Sequence, residues 1–271
     1  MKQLTVLKLG GSAITDKSRK LTPDLVTIHR SADQIAKYKR LMILLHGGGS
    51  FAHPFAKRGN LAKGFKDRSQ FKALDETELY LDQLSRIIQV ALLQRNVGFV
   101  PFRPMSYMET SQGNLSRAFL DPITHALRLG LVPLSHGDVV MDSKIGFSIV
   151  SADQLASLFA LKLKASNVLF GSDVDGIYSA DPKRSKTAQL VKEVNKKNYR
   201  QIRAALRKSP LGDVTGGMLA KFSQAVILAK NGCESYIFNL RREGMLEALL
   251  SGKSQGLECT RFETWRKPRV N

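Results

Sequence analysis

The stretch "LMILLHGGGSFAHPF" (41–55) joins an apolar run to three consecutive glycines. A short continuous apolar run that ends at a turn signal is typical of a β-strand buried on both faces, so 41–45 is predicted as a strand. Glycine is costly to hold in one conformation, and three in succession predict a backbone that approaches another group closely or takes a positive φ. We therefore expect a buried strand that ends in a contact-forming loop.

The same arrangement occurs near the N-terminus, where "LTVLKLGGS" (4–12) places a predicted strand at 4–9 before two glycines. A strand that exits into glycines can direct backbone N–H groups at an anion. Parallel strands have their carboxyl ends at one edge of the sheet, so the two loops should lie side by side. Two adjacent anion-binding loops indicate a site where two phosphates meet. The chain contains no G-x-x-x-x-G-K-[ST] sequence, so neither loop is a Walker A loop.

Strand-like and helix-like patterns alternate along the whole chain, which predicts an α/β fold: a three-layer αβα sandwich with a mainly parallel central sheet. A β-hairpin is expected at 138–151, with its turn at 143–146. Further strands are predicted at 97–102, 131–135, 167–172, 234–239 and near 256–262, and helices at 22–40, 69–95, 121–130, 152–164, 194–207, 216–231 and 242–250. In the first of these helices, Thr22 is expected as the N-cap and Pro23 in the first turn.

The composition is that of a globular protein of 271 residues, 43% of them hydrophobic. No run approaches eighteen apolar residues, and the first residues lack a secretory pattern, so we expect no membrane association. Cys233 and Cys259 are too few for a disulfide framework, and we expect both to be reduced in a cytoplasmic protein.

The net charge of +19, from 42 Lys+Arg against 23 Asp+Glu, favours anionic partners. The basic residues are distributed over several short clusters, and no zinc-finger, RNA-recognition or helix-turn-helix signature is present. Charge alone is weak evidence, and nucleic acid is therefore not expected as a partner. A cationic surface also suits an enzyme with anionic substrates.

Five segments in order resemble the amino acid kinase family. Within the family, "HGGGSFAHP" and the later "DVTGGMLAK" are most similar to the isopentenyl phosphate kinase subgroup, with His53 as the distinguishing residue. The segments are "KLGGS" (8–12), "HGGGSFAH" (46–53), "HGDVV" (136–140), "GSDVDGIYSADP" (171–182) and "DVTGGMLAK" (213–221).

This resemblance implies one amino acid kinase domain over 1–271, with a mainly acceptor-binding lobe at 1–165 and a mainly nucleotide-binding lobe at 166–271. β-Hairpins would lie near the acceptor site. The implied reaction is ATP-dependent phosphorylation of isopentenyl phosphate to isopentenyl diphosphate, as in an archaeal-type mevalonate pathway. The family also implies a homodimer.

The resemblance assigns roles to charged residues. Lys8 and Lys221 would flank the transferred γ-phosphoryl group, Lys17 would stabilise the charge that develops on it, and Asp153 would orient the two flanking lysines. An N-cap at the start of its helix is the alternative role for Asp153. A phosphate monoester is already a competent nucleophile, so positioning and charge neutralisation suffice for such a transfer.

Binding residues follow from the same resemblance. Backbone N–H groups and the side chain of Asp173 would contact ATP, and the Gly216–Gly217 pair would open the helix that carries Lys221. Mg²⁺ would be carried mainly by the ATP phosphates, and no protein ligand is assigned to it. Independently of the resemblance, His46 is expected to have a structural role or to support a neighbouring residue that contacts the ligand. The implied ATP-binding set is Lys8, Gly10, Gly11, Ser12, Gly49, Asp173, Gly217 and Lys221, and the acceptor-binding set is Gly48, His53 and Ala152.

Two departures leave the acceptor open. Ala52 and Ala152 stand where the subgroup usually has glycine, and an added methyl could narrow the acceptor pocket. Apolar residues of 71–95 are expected to wall that pocket. One alternative is a kinase for another small phosphate or phosphonate, such as fosfomycin, or for uridylate. The other is a catalytically idle, basic nucleic-acid-binding or regulatory protein.

Overall fold

The structure, a computed structural model, describes residues 3–38, 40–180, 185, 187–208 and 217–265. The strands are β1 (Leu4–Leu9), β2 (Leu41–His46), β3 (Phe99–Pro101), β4 (Met108–Ser111), β5 (Asn114–Ala118), β6 (Val132–His136), β7 (Asp138–Asp142), β8 (Gly146–Val150), β9 (Asn167–Ser172), β10 (Glu193–Val194), β11 (Glu234–Asn239) and β12 (Cys259–Phe262). The helices are α1 (Gly11–Ile14), α2 (Leu25–Lys37), α3 (His53–Arg58), α4 (Phe71–Leu93), α5 (Asp121–Arg128), α6 (Ala152–Lys162), α7 (Tyr199–Lys208), α8 (Gly217–Lys230) and α9 (Met245–Leu250).

Eight strands form the central sheet, in the order β10-β12-β11-β9-β1-β2-β6-β3. Neighbouring strands are parallel except for β11 and β12. The mainly parallel sheet is thus confirmed. β1 lies between β2 and β9, and Lys8 is in register with Leu45 and Phe170. Lys8 therefore stands at the carboxyl edge in the middle of the sheet.

Helices cover both faces of this sheet, because alternate residues of each strand point to opposite sides. Leu4 and Val6 belong to one core cluster, which α5, α6 and α8 complete. Leu7 and Leu9 belong to a second cluster, to which α2, α4 and α9 contribute. The predicted three-layer arrangement is confirmed, and Lys8, on the side of Leu4 and Val6, faces α6 and α8.

A second, four-stranded sheet has the order β5-β4-β7-β8. The predicted hairpin at 138–151 corresponds to the antiparallel strands β7 and β8. The hairpin of β4 and β5 was not predicted from the sequence. Most residues of β5 are exposed, so its sequence lacks the apolar alternation that marks a half-buried strand.

The start of α2 differs from the prediction. The helix begins at Leu25, and its N-cap is Asp24, whose carboxylate accepts a hydrogen bond from the Thr27 N–H at 2.9 Å. Thr22 is not the N-cap and Pro23 lies before the helix, because Pro23 forms a β-bridge with Thr15. In the described part of the chain, no helix has the length and apolar content needed to cross a membrane.

Candidate active site

Lys8, Asp153 and Lys221 form one buried cluster. Lys8 Nζ lies 3.0 Å from Asp153 Oδ1, and Lys221 Nζ donates to Asp153 Oδ1 and Oδ2 at 3.0 and 2.9 Å. The lysines come from β1 and α8 and the aspartate from the first turn of α6. The fold thus brings together three of the four residues that the resemblance assigned to catalysis.

The sequence of α6 explains how Asp153 becomes available. Ser151 is the N-cap, with a capping box in which Ser151 Oγ accepts from the Gln154 N–H and Gln154 Oε1 accepts from the Ser151 N–H. Asp153 is therefore not the cap, and its carboxylate faces the two lysines instead.

The side chains of this cluster remain ionised although they are buried. Burial opposes ionisation of Asp153, but the ammonium groups of Lys221 and Lys8 outweigh it and lower its pKa to about 2. Burial also lowers the pKa of Lys221 to about 8, because desolvation and repulsion by Lys8 exceed the attraction of Asp153. With two ammonium groups on one carboxylate, the cluster carries a net positive charge that suits transferring phosphates.

The two glycine loops are in direct contact, as expected. A Cβ atom on Gly11 would lie 2.3 Å from Gly49 N, and one on Gly49 would lie 2.6 Å from Gly11 O. Gly49 also has a φ of +51°, which disfavours other residues. Gly10, Gly11 and Ser12 lie at the N-terminal turn of α1, where helix N–H groups lack intrahelical acceptors. The loops therefore bring two segments with available donors to one place.

Lys17 joins this site through Asp173. Lys17 Nζ lies 2.9 Å from Asp173 Oδ2, and Ser12 Oγ donates to Asp173 Oδ1 at 2.8 Å. The Lys17 side chain remains 62% exposed, so its ammonium group is accessible to a ligand. Three predicted site residues are thus connected across the ends of β1 and β9.

The predicted acceptor residues lie in the loops after β2 and β7–β8. His53 is the exposed first residue of α3, and Gly48 packs against Ala52 and Leu81. Ala152 is the buried first residue of α6, and its N–H lies where a Cβ atom on Gly137 would be only 2.7 Å away. Gly217 begins α8, whereas Gly216 and the preceding 213–215 lie outside the described residues.

Sequence reasoning missed residues that hold the loops together. Thr15 Oγ1 donates to Gly11 O at 2.7 Å and accepts from the Ser50 N–H at 3.0 Å, which links the two glycine loops. Arg241, after β11, donates to the carbonyl groups of Ser12 and Ala13 at 3.1 and 3.3 Å. The contacts of Thr15 with Ser50 and of Arg241 with Ser12 and Ala13 join residues far apart in sequence, so no local pattern predicts them.

A buried polar cluster beneath the acceptor loop was also missed. His46 and His136 end the adjacent strands β2 and β6, with ring centroids 5.2 Å apart. Burial lowers the pKa of both, that of His46 to about 3, so both rings are neutral at physiological pH. Each Nδ1 lies near the carbonyl oxygen of the next glycine, at 3.3 Å for Gly47 and 3.2 Å for Gly137. A carbonyl only accepts, so Nδ1 carries the proton. This supports the structural role expected for His46.

Comparison with known proteins gives a consistent picture. The sequence model of the Amino acid kinase family matches residues 3–239. An isopentenyl phosphate kinase of Methanothermobacter thermautotrophicus is 34% identical over 267 residues, covering 95% of this chain and 99% of that protein. One of Methanocaldococcus jannaschii is 31% identical, covering 94% and 98%. A solved structure described as "X-ray structures of isopentenyl phosphate kinase" superposes with a TM-score of 0.82 at 30% identity, covering 96% of this chain and 99% of that one.

Proposed function

The chain belongs to the amino acid kinase family, and we propose that it transfers the γ-phosphoryl group of ATP to isopentenyl phosphate, giving isopentenyl diphosphate. The observation that carries this proposal is the Lys8–Asp153–Lys221 cluster beside two touching glycine loops. Relatives that match nearly the whole chain are named isopentenyl phosphate kinases. The alternative of a catalytically idle binding protein is not favoured, because Lys8 and Lys221 are both present and lie together at Asp153.

The mechanism is one of positioning and charge neutralisation. Two anionic substrates repel each other, and buried ammonium groups offset this repulsion strongly because the surroundings have a low dielectric constant. Lys8 and Lys221 would contact the transferred phosphoryl group, and Asp153 would fix both Nζ atoms. The acceptor phosphate would attack the γ-phosphorus, its P–O bond forming as the bond to the ADP oxygen breaks. Lys17 would stabilise charge on the transferred group.

Nucleotide binding is assigned to the side of the site near α1 and β9. Gly10, Gly11, Ser12 and Gly49 would offer backbone N–H groups to the ATP phosphates, together with Gly217 at the start of α8. Asp173 would contact the nucleotide, and its bonds to Ser12 and Lys17 hold it in place. The division into a mainly acceptor-binding lobe at 1–165, which also supplies Gly10, Gly11 and Gly49, and a mainly nucleotide-binding lobe at 166–271 is part of the proposal.

Mg²⁺ is proposed to bind through the ATP phosphates. Among the residues that the structure describes, no three His, Cys, Asp or Glu side chains are grouped to hold a metal ion. Asp173, an acid near the proposed nucleotide site, is already paired with Lys17. The donor set therefore suits a metal ion that arrives with the nucleotide, where it would neutralise phosphate charge.

The acceptor is assigned to the opposite side. Gly48 and Ala152 would approach its phosphate with main-chain groups, and His53 would donate a hydrogen bond to it. The adjoining apolar cluster of Leu61, Ala73, Val139 and Phe147 lies between α3–α4 and the β7–β8 hairpin. Because α3 begins at His53, a phosphate held there would have its apolar tail near this cluster. A small hydrocarbon tail fits such a wall.

A homodimer in the cytoplasm completes the proposal. Leu79, Val90 and Leu93 of α4 are 64%, 50% and 66% exposed. At 3.6 residues per turn they lie within about 60° around the helix, with the exposed Gln83 and Arg86 on the same face between Leu79 and Val90, so a second copy would cover a face of mixed apolar and polar residues. Both cysteines are free, which suits a reducing compartment.

The test is ADP release measured with a panel of acceptors: isopentenyl phosphate, uridylate, fosfomycin and glutamate. We expect turnover to be highest with isopentenyl phosphate. His53→Ala should raise KM for isopentenyl phosphate and leave KM for ATP nearly unchanged, and His125→Ala, at an exposed histidine of α5, is the matched control. No turnover with isopentenyl phosphate alongside turnover with another acceptor would refute the assignment.

A further inference from the structure

A surface cleft of about 480 Å³ lies at the end of α8 remote from Lys221. Nine residues separate Lys221 from Lys230, which places the cleft about 13 Å along the helix from the catalytic cluster. The cleft is therefore separate from the proposed kinase site. It is lined only by basic and aromatic side chains: Lys196, Lys197, Tyr199, Arg200, Lys230 and Trp265.

The aromatic pair organises the cleft. The rings of Tyr199 and Trp265 have centroids 4.6 Å apart, and Lys230 Nζ lies 5.6 and 5.7 Å from the two ring centroids. Arg200 lies over Tyr199 at 5.8 Å. Trp265 Nε1 is buried and has no hydrogen-bond partner among the described residues. Aromatic rings combined with cationic side chains in one groove are typical of sites that bind single-stranded nucleic acid.

The cations of the cleft are unpaired. Lys196, Lys197, Arg200 and Lys230 are exposed, and within the described ranges none of them forms an ion pair. The acidic residues close to the cleft in the chain are Glu193, which accepts a hydrogen bond from Asn195 Nδ2 at 3.3 Å, and Glu263. In the part of the chain that the structure describes, neither forms an ion pair with the four cations, so positive charge predominates in the cleft.

Helix α7 extends this charge into a strip. Arg203 and Arg207 follow Arg200 at intervals of three and four residues, so the three side chains share one face of the helix. Seven residues of helix add about 10 Å to the basic surface. A linear array of cations leading from an aromatic cleft fits a linear polyanion better than a single small anion.

We propose that this cleft and the α7 arginines bind single-stranded nucleic acid, in addition to the kinase reaction. The repeated phosphates would meet the basic strip, and bases would stack at the Tyr199–Trp265 pair. An anionic membrane is disfavoured, because the cleft is lined by four cations and two partly buried rings and offers no apolar side chain that could enter lipid. The sequence shows no binding motif because the fold assembles the surface from α7, the end of α8 and the segment after β12. The assignment gives part of the +19 charge a role.

Trp265 is the only tryptophan in the chain, so its fluorescence reports on this cleft alone. Titration with a short single-stranded RNA should change this fluorescence saturably. The logarithm of the binding constant should fall with the logarithm of salt concentration with a slope of about −4, if all six cations of the cleft and α7 contact phosphates. A duplex of the same sequence should bind more weakly, because its bases cannot stack in the cleft.

A triple variant tests the site directly. Neutralising Lys196→Gln, Lys197→Gln and Arg200→Gln together should weaken RNA binding about 100-fold at about 0.1 M salt and reduce the slope by about 2. The control triple Lys72→Gln, Arg128→Gln and Lys162→Gln removes equal charge from exposed positions on α4, α5 and α6 and should leave binding unchanged. Kinase turnover should be retained in both triples.

Three outcomes would overturn the proposal. Equal weakening in both triples would assign the binding to net charge alone. Competition of the RNA by ATP at its kinetic KM would place the RNA in the nucleotide site. A Trp265 response to anionic phospholipid vesicles but not to RNA would identify a membrane surface. Failure of the acceptor assay would not change any of these readouts, so the two proposals fail separately.

Discussion

Asp153 is the residue on which the proposed site depends, because among the described residues it alone forms ion pairs with both Lys8 and Lys221. A single buried lysine would favour its neutral form, since desolvation penalises charge. The carboxylate of Asp153 pairs with the ammonium groups of Lys8 and Lys221 at once, so the cluster as a whole keeps a net positive charge. Lys221 also lies 5.5 Å from the centroid of the Phe170 ring, which adds a favourable cation–π contact.

Lys221→Ala should lower kcat by about 100-fold or more, because the lost ammonium group would stabilise charge mainly in the transition state. The fold should persist, since Lys8 still neutralises Asp153. Steady-state kinetics with isopentenyl phosphate would measure the effect, and Lys162→Ala, at an exposed position of α6, is the control. A raised KM with unchanged kcat would show instead that Lys221 only binds substrate.

The site was predictable to the extent that it is carried by local sequence. Lys8, the two glycine loops and Asp153 stand in recognisable segments, so the resemblance located them. The Thr15 and Arg241 contacts could not be predicted, because they depend on how segments 35 or more residues apart meet. Local sequence patterns predict where the loops occur. The hydrogen bonds that hold one loop against another depend on the tertiary structure.

At the scale of elements, buried strands were predicted well and exposed ones were not. β1, β2 and β9 are buried and mostly apolar, and their predicted bounds agree with the structure to within a residue. β5 has no such run, and it is held by pairing with β4 and by its turn. Its position depends on Asp142, which joins the two hairpin turns.

Asp142 accepts backbone hydrogen bonds from both turns of the second sheet. Its carboxylate oxygens lie 3.0 Å from Gln112 N, 2.8 Å from Gly113 N and 2.9 Å from Lys144 N. These bonds keep its pKa below the usual value, although burial opposes ionisation. Ile145, in the turn between β7 and β8, accepts a hydrogen bond from the Phe65 N–H through its carbonyl oxygen. The turn therefore also supports the segment between α3 and α4.

Asp142→Ala should therefore loosen both turns and, through the 61–70 segment, the acceptor side of the site. We expect the thermal midpoint to fall by several degrees and amide exchange at Gln112, Gly113 and Lys144 to accelerate. KM for the acceptor should rise while KM for ATP changes little. Asp142→Asn, which keeps one acceptor oxygen, should give a smaller effect. Unchanged exchange at these amides would contradict the role.

Considered as a whole, the molecule combines a strongly cationic surface with acidic groups buried near the acceptor side. The surface field attracts anionic substrates from solution, an effect that salt screens. The buried acids are Glu78 and Asp138, which α4 and β7 bring together, with Arg103 donating to Glu78 at 3.0 Å. Burial and the neighbouring Asp138 raise the pKa of Glu78 to about 8, in spite of Arg103.

This raised pKa makes the stability of the whole chain depend on pH. Between about pH 4.5 and 8 the unfolded Glu78 is ionised while the folded one keeps its proton, so the unfolded state binds fewer protons. Stability then falls as pH rises through this interval and levels off above it. His46 has the opposite slope, because its lowered pKa makes stability rise between about pH 3 and 6.5.

Glu78→Gln should remove the first contribution and leave that of His46. The amide needs no proton to remain neutral beside Asp138, and Arg103 keeps its second partner, Asp82, at 3.2 Å. We expect the variant to gain stability over the wild type progressively from pH 5 to 8, by a few kcal/mol at most. Urea unfolding at several pH values measures the difference, with Asp75→Asn, an exposed acid on α4, as the control. A difference that is constant over this pH range would show that Glu78 is already ionised in the folded state.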